Sequence, residues 1–219
     1  MGGFHRRVLR DLGFDVTTVD PDPAVGADFV RVPHKNFGVV CVATPIQYLA
    51  DEAARWVGHP GWLLVEKPFA ASLAEAEALA LLLADQAVCV GYVERFNPQI
   101  RRLRELLATS PPSAVVFRRW NDRESPDVAL DLSSHDVDLA AFLGLQCLVT
   151  LDSRAETGLQ RVRRVEIDGV RRVDLMAHDS SPLHAQWHTF LSGRQGHAGP
   201  RDAVRVHAAL ACIPVAVAA

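Results

Sequence analysis

The chain has 219 residues, 49% of them apolar and 22% charged, with a formal net charge of -3. That balance excludes a disordered tail or a fibre, and it leaves room for one large domain or two small ones. The net charge offers no attraction for nucleic acid or anionic lipid, so neither is an expected partner. The longest apolar stretch, residues 208–219, is too short to span a bilayer, is broken by Pro214 and lies at the wrong end for a signal peptide. A cytoplasmic protein is expected. Cys41, Cys89, Cys147 and Cys212 are scattered without a CxxC, which fits a reducing compartment and no zinc site.

Helix and strand alternate through the first half, as in a parallel sheet covered by helices. Phe4, Val8, Leu9 and Leu12 recur at helical spacing and Gly13 closes that helix, placing it over 3–12. Residues 14–19 read as a strand ending at Asp20, and Pro21-Asp22-Pro23 as the turn after it. The run 38–43 is apolar throughout, the mark of a strand buried on both faces, and Thr44-Pro45 opens a helix to about 57. Strands follow at 62–65 and 87–93, separated by an alanine- and leucine-rich helix over 72–85, and a further helix covers 98–108. Beyond it, 115–120, 148–156 and 162–178 alternate like half-exposed antiparallel strands, with Asp168-Gly169 as a hairpin turn. Helices are expected at 134–143, 182–191 and 202–210. The change of style near 94–115 divides the chain into units at 1–97 and 98–219.

Gly2 and Gly3 precede the first helix and Asp20 follows about 20 residues later, the spacing at which a dinucleotide-binding unit places an acid on the ribose hydroxyls. The helix N-terminus would then meet the pyrophosphate. Glu66-Lys67-Pro68 ends the 62–65 strand at the edge where open parallel sheets bind ligands, and Lys67 is one of only two lysines, the other being Lys35. His184 and His188 stand four apart on a helix, but Trp187 and Phe190 beside them read as packing, and no metal is expected. Arg161, Arg163, Arg164, Arg171 and Arg172 alternate with valines and read as a solvated sheet face, in preference to the alternative of a phosphate-binding role toward the substrate of a nucleotide-sugar enzyme.

Ala43-Thr44-Pro45, Glu66-Lys67-Pro68, the segment Gly91 to Pro98 and the segment Asp131 to Asp138 resemble, in order and spacing, the Gfo/Idh/MocA oxidoreductases. The resemblance implies an α/β chain: a Rossmann-like parallel sheet holding NAD, with NADP as the other choice, and a smaller α/β domain with an open antiparallel sheet. That sheet would carry a small-molecule substrate on one face and a homo-oligomer contact on the other. It further implies hydride transfer to or from a secondary alcohol or ketone of a sugar, nucleotide sugar or cyclitol, with imine reduction or a non-catalytic binding relative as alternatives. Gly2, Gly3, Asp20, Thr44, Pro45, Glu66 and Lys67 fall in its cofactor pocket, and Lys67, His135 and Asp131 in its catalytic set. Hydride transfer needs a partner for the hydroxyl proton, which suits His135, and a cation beside the reacting oxygen, which suits Lys67. Asp131, four residues before His135, would face the imidazole if the segment were helical.

Three features depart from that pattern. The first strand and first glycines of the cofactor loop are missing ahead of Met1-Gly2, so the start lies upstream, the sheet closes without the strand, or another chain fills the gap. The segment after Leu143 is short for the substrate sheet. Tyr48 stands where many members have histidine.

Overall fold

The computed structural model describes residues 1–33, 36–194 and 196–212. Lys35 and the end of the apolar tail, with Pro214, lie outside the described residues. The first layer is a parallel sheet of β1 (Val39–Val42), β2 (Trp62–Val65) and β3 (Val88–Val90) in that order. Helices α2 (Ile46–Ala54) and α3 (Leu73–Leu82) make the crossovers, which is what returns each strand in the same direction. Ser72 caps α3 by accepting from the Glu75 amide at 3.2 Å.

Both faces of this sheet are covered, as the continuous apolar runs anticipate. Leu49, Ala53, Ala76 and Leu79 pack on Leu63 and Val65 from one side. From the other, α1 (Gly2–Asp11) and α6 (Pro182–Leu191) bring Val8, Leu9, Trp187 and Phe190 onto Leu64 and Cys89. The last helix, α7 (Pro200–Ala211), joins the first side through Ala203 and Val206, and the Val90 amide donates to the Ala198 carbonyl at 2.8 Å. The chain's closing helices therefore complete the first core.

Residues 14–18 form no strand. Val19 makes one parallel bridge with Phe29, and among the described residues no strand lies on the outer edge of β1 to tie this segment into the sheet. Backbone groups without a neighbouring strand bond to turns instead: the Thr18 amide and hydroxyl both donate to Asp28. Phe14, Val19, Phe29, Val30 and Val32 stay partly exposed as a result.

The second layer is a four-stranded sheet ordered β5-β4-β6-β7, from β4 (Ala114–Asn121), β5 (Leu148–Ala155), β6 (Val162–Ile167) and β7 (Arg171–Asp174). Antiparallel pairing holds across β4, β6 and β7, with Asp168 and Gly169 at φ 51° and 70° in the hairpin turn. β5 instead joins β4 in parallel, because α5 (Ser134–Phe142) carries the chain back across the sheet between them. Helix α4 (Pro98–Thr109), capped by Asn97 with Pro98 at its first position, packs Ile100, Leu103 and Leu107 on Val115, Phe117 and Val165 with Leu139 of α5. Among the described residues no helix is long and apolar enough to cross a membrane.

Candidate active site

The ends of β2 and β3, the start of α1, the turn into α5 and the near end of the second sheet surround a cleft of about 760 Å³. Glu66, Lys67, Gly91, Asp131 and His135 line it, together with Met1 at the head of α1. Five of the positions singled out in the sequence thus meet or adjoin one opening, although Lys67 and Asp131 are 64 residues apart.

Lys67 donates from Nζ to the Asp131 carbonyl at 2.7 Å and to its Oδ1 at 3.0 Å. An ammonium has three N–H groups, so one is left for a ligand. Arg123 donates to the other oxygen of Asp131. Burial pushes the Asp131 carboxyl up, but the Lys67 charge and hydrogen bond and then the Arg123 charge outweigh it and hold the group below its ordinary range.

The carboxylate of Asp131 is therefore occupied by two cations, and the expected contact with His135 is not made. Asp131 lies in a π-helical turn, Ala129–Ser133, that runs into α5 at Ser134. The i to i+5 winding of that turn moves residues 131 and 135 out of the stacked i, i+4 relation of a regular helix. His135 holds no partner on Nδ1, which is buried, leaving Nε2 as the nitrogen open to the cleft. The Tyr92 ring meets it edge-on at 6.3 Å. Burial, then the Lys67 charge and the charges of Arg119 and Arg163, push the His135 pKa well below its usual value. The imidazole is neutral at pH 7.

Glu66 is fixed from three sides. His5 of α1 meets its Oε1 at 2.7 Å, the Lys67 amide donates to Oε2 at 3.0 Å, and a Cβ on Gly91 would stand 2.7 Å from Oε2. Trp187 donates its indole N–H to His5 Nδ1 at 3.0 Å, so Nε2 of that ring carries the proton and donates to Glu66. The helical face was expected to be Phe4, Val8, Leu9 and Leu12; Phe4 is 60% exposed and His5 is buried in its place. A histidine in step with an apolar stripe is the signal that could have revealed this contact.

A second group passed over by sequence reasoning lies behind the cleft. Arg119 and Arg163 are direct cross-strand partners of β4 and β6, and Glu94 Oε1 accepts from both, at 3.1 and 3.0 Å. Arg119 also binds Asp136 at 2.8 Å. Two like charges opposed across a ladder are tolerated because the carboxylates join them. Asp136 is thus buried in an ion network, where the sequence suggested only a first-turn acid on α5.

The cofactor positions divide. Gly2 and Gly3 begin α1, beside the cleft; their amides have no intrahelical acceptor, and no atom lies within 4 Å of where a Cβ on either would stand. Thr44 and Pro45 follow β1, and Thr44 Oγ1 is buried without a hydrogen-bond partner. Asp20 sits apart in the 14–29 segment and accepts from the Asp22 amide at 2.9 Å. An open helix N-terminus and an orphaned hydroxyl at the carboxyl edge of a parallel sheet fit a dinucleotide.

No protein-family model matches the chain, and no curated protein does. Among solved structures it is similar to UDP-N-acetylglucosamine 3-dehydrogenase GnnA from Acidithiobacillus ferrooxidans, with 20% identity over 99% of this chain and 94% of that one and a TM-score of 0.81. The WlbA (WbpB) dehydrogenase from Thermus thermophilus, in complex with NAD and UDP-GlcNAcA, gives 18% identity over 98% and 92% and a TM-score of 0.77. The chain has the fold of these dehydrogenases. A myo-inositol dehydrogenase from Corynebacterium glutamicum shares it at 16% identity over 90% and 86%, with a TM-score of 0.70. The Rossmann-like α/β architecture expected from the motifs is the one these structures have.

Proposed function

We propose that this chain is an NAD-dependent oxidoreductase acting on a secondary alcohol or ketone of a sugar, nucleotide sugar or cyclitol. The observation that carries the reading is the meeting of the paired Lys67, the neutral His135 and the open N-terminus of α1 at one cleft. The solved structures it resembles support it, being dehydrogenases of a UDP-sugar and of myo-inositol by name, one of them in complex with NAD. Gly2, Gly3, Thr44, Pro45 and Glu66 would hold the dinucleotide with Lys67, and Asp20 would take the ribose hydroxyls; a carboxylate there disfavours a 2′-phosphate and hence NADP.

When bound, the nicotinamide supplies the hydride acceptor. His135 accepts the hydroxyl proton at Nε2 during alcohol oxidation and returns it in the reverse direction. Lys67 turns its remaining N–H to the reacting oxygen and stabilises the charge that develops there. Asp131 is a positioning residue for Lys67 rather than for the imidazole. Residues 1–97 would form the cofactor unit and 98–219 the substrate unit, with α6 and α7 returning to the first core. The outer face of the second sheet would pair two copies, and the cytoplasm is the compartment this chemistry suits.

Calorimetry with NAD, followed by the rise in NADH absorbance on a panel of hexoses, uronates, nucleotide sugars and inositols, tests the reading. Saturable NAD binding with turnover on at least one substrate is expected. Binding without turnover on any alcohol, ketone or imine would instead assign the chain to the non-catalytic relatives.

A further inference from the structure

The arginines of β6 do not share one solvated face. Strand parity puts Arg163 on the side of Val165 and Ile167, which is the core side, and Arg161, just ahead of the strand, lines the same cleft. Arg164 goes to the opposite face, near Glu166. Arg163 spends Nη1 on Glu94, and its Nε has no partner. Arg161 is exposed, and among the described residues it forms no ion pair.

The acids that line the same cleft are already engaged. Glu66 is held by His5 and the Lys67 amide, Asp131 by Lys67 and Arg123, and Asp122 accepts from the Gly158 amide at 2.6 Å. The cleft thus presents the unpartnered Nε of Arg163, whose Nη1 is held by Glu94, and beside it the exposed guanidinium of Arg161. Guanidinium pairs with oxyanions through charge-assisted hydrogen bonds, and a neutral hydroxyl gains much less from the same donors.

We propose that Arg161 and Arg163 form a subsite for an oxyanion carried by the substrate, a carboxylate on the sugar or a phosphate on its anomeric oxygen. This rests on the sugar-oxidoreductase reading and narrows it: an acidic sugar or sugar phosphate is bound in preference to a neutral hexose or cyclitol.

Calorimetric binding of glucuronate, glucose 1-phosphate and glucose to the whole protein tests the subsite. At least one of the two acidic ligands binds about tenfold or more tightly than glucose, and Arg161→Ala removes about tenfold of that affinity while leaving glucose unchanged. Arg161→Lys recovers part of the loss. Glucuronate as the tighter ligand assigns a ring carboxylate, and glucose 1-phosphate an anomeric phosphate. Among the described residues Arg161 has no partner to orphan, so this variant keeps its fold where Arg163→Ala would strand part of the Glu94 network. ADP-ribose, which carries only the cofactor's diphosphate half, binds wild type and Arg161→Ala alike. Equal affinity for all three sugars, no binding of any of them, or a loss confined to ADP-ribose overturns the subsite. NAD binding and NADH formation, measured separately, report whether the oxidoreductase reading stands regardless.

Discussion

Lys67 carries the clearest expectation at the scale of a single residue. Its ammonium is anchored at two points on Asp131, while Asp131 retains Arg123 if Lys67 is removed. Lys67→Ala should therefore lower kcat by a factor of roughly 100 or more, by loss of charge stabilisation at the reacting oxygen. The melting temperature should fall only slightly, since the carboxylate left behind is not stranded. A variant that turns over normally places Lys67 outside the chemistry. Asp131→Asn weakens the anchor on Lys67 and should slow turnover, and normal turnover in that variant would mean that Lys67 does not depend on Asp131 for its position.

At the scale of elements, α1 is held against β2 by a buried chain of polar contacts from Trp187 through His5 to Glu66. Replacing His5 with alanine strands the indole N–H and one carboxylate oxygen, and should cost roughly 2–4 kcal/mol in chemical denaturation. Gly91→Ala would drive a methyl into Glu66, which these same contacts prevent from retreating, and should destabilise by roughly 1–3 kcal/mol or more. Full stability in Gly91→Ala would mean that Glu66 is free to move. Most elements were legible because their signals are local. The bounds of β2 and α6 agree with the apolar run at 62–65 and with the Ser-Pro start of α6, where Ser181 accepts from the His184 amide. What was not legible depends on neighbours. Residues 14–19 have strand chemistry but, among the described residues, no strand of the sheet to join, β5 takes its direction from a crossover, and one π-turn separates Asp131 from His135. The cross-strand partnership of Arg119 and Arg163 needs a register that spacing alone does not supply.

At the scale of the whole molecule, the cleft lies where the two sheets meet, and its electrostatics couple stability to pH. His135 has a folded pKa well below its unfolded value near 6.5, so the unfolded chain binds the proton more readily. Stability should fall as pH drops below about 6.5, and His135→Asn should reduce that slope in melts between pH 5 and 7. The same depressed pKa keeps the base deprotonated at neutral pH, so activity should persist below the pH at which an ordinary histidine would be lost.

The most direct test of the proposed chemistry is the pH dependence of kcat/KM for alcohol oxidation, in wild type and in His135→Asn. The wild type should lose rate on the acid side with an apparent pKa below 6.5, and His135→Asn should lack that limb and run far more slowly. An acid limb unchanged in His135→Asn would remove the histidine from proton transfer and contradict the assignment of this cleft as a His135–Lys67 dehydrogenase site.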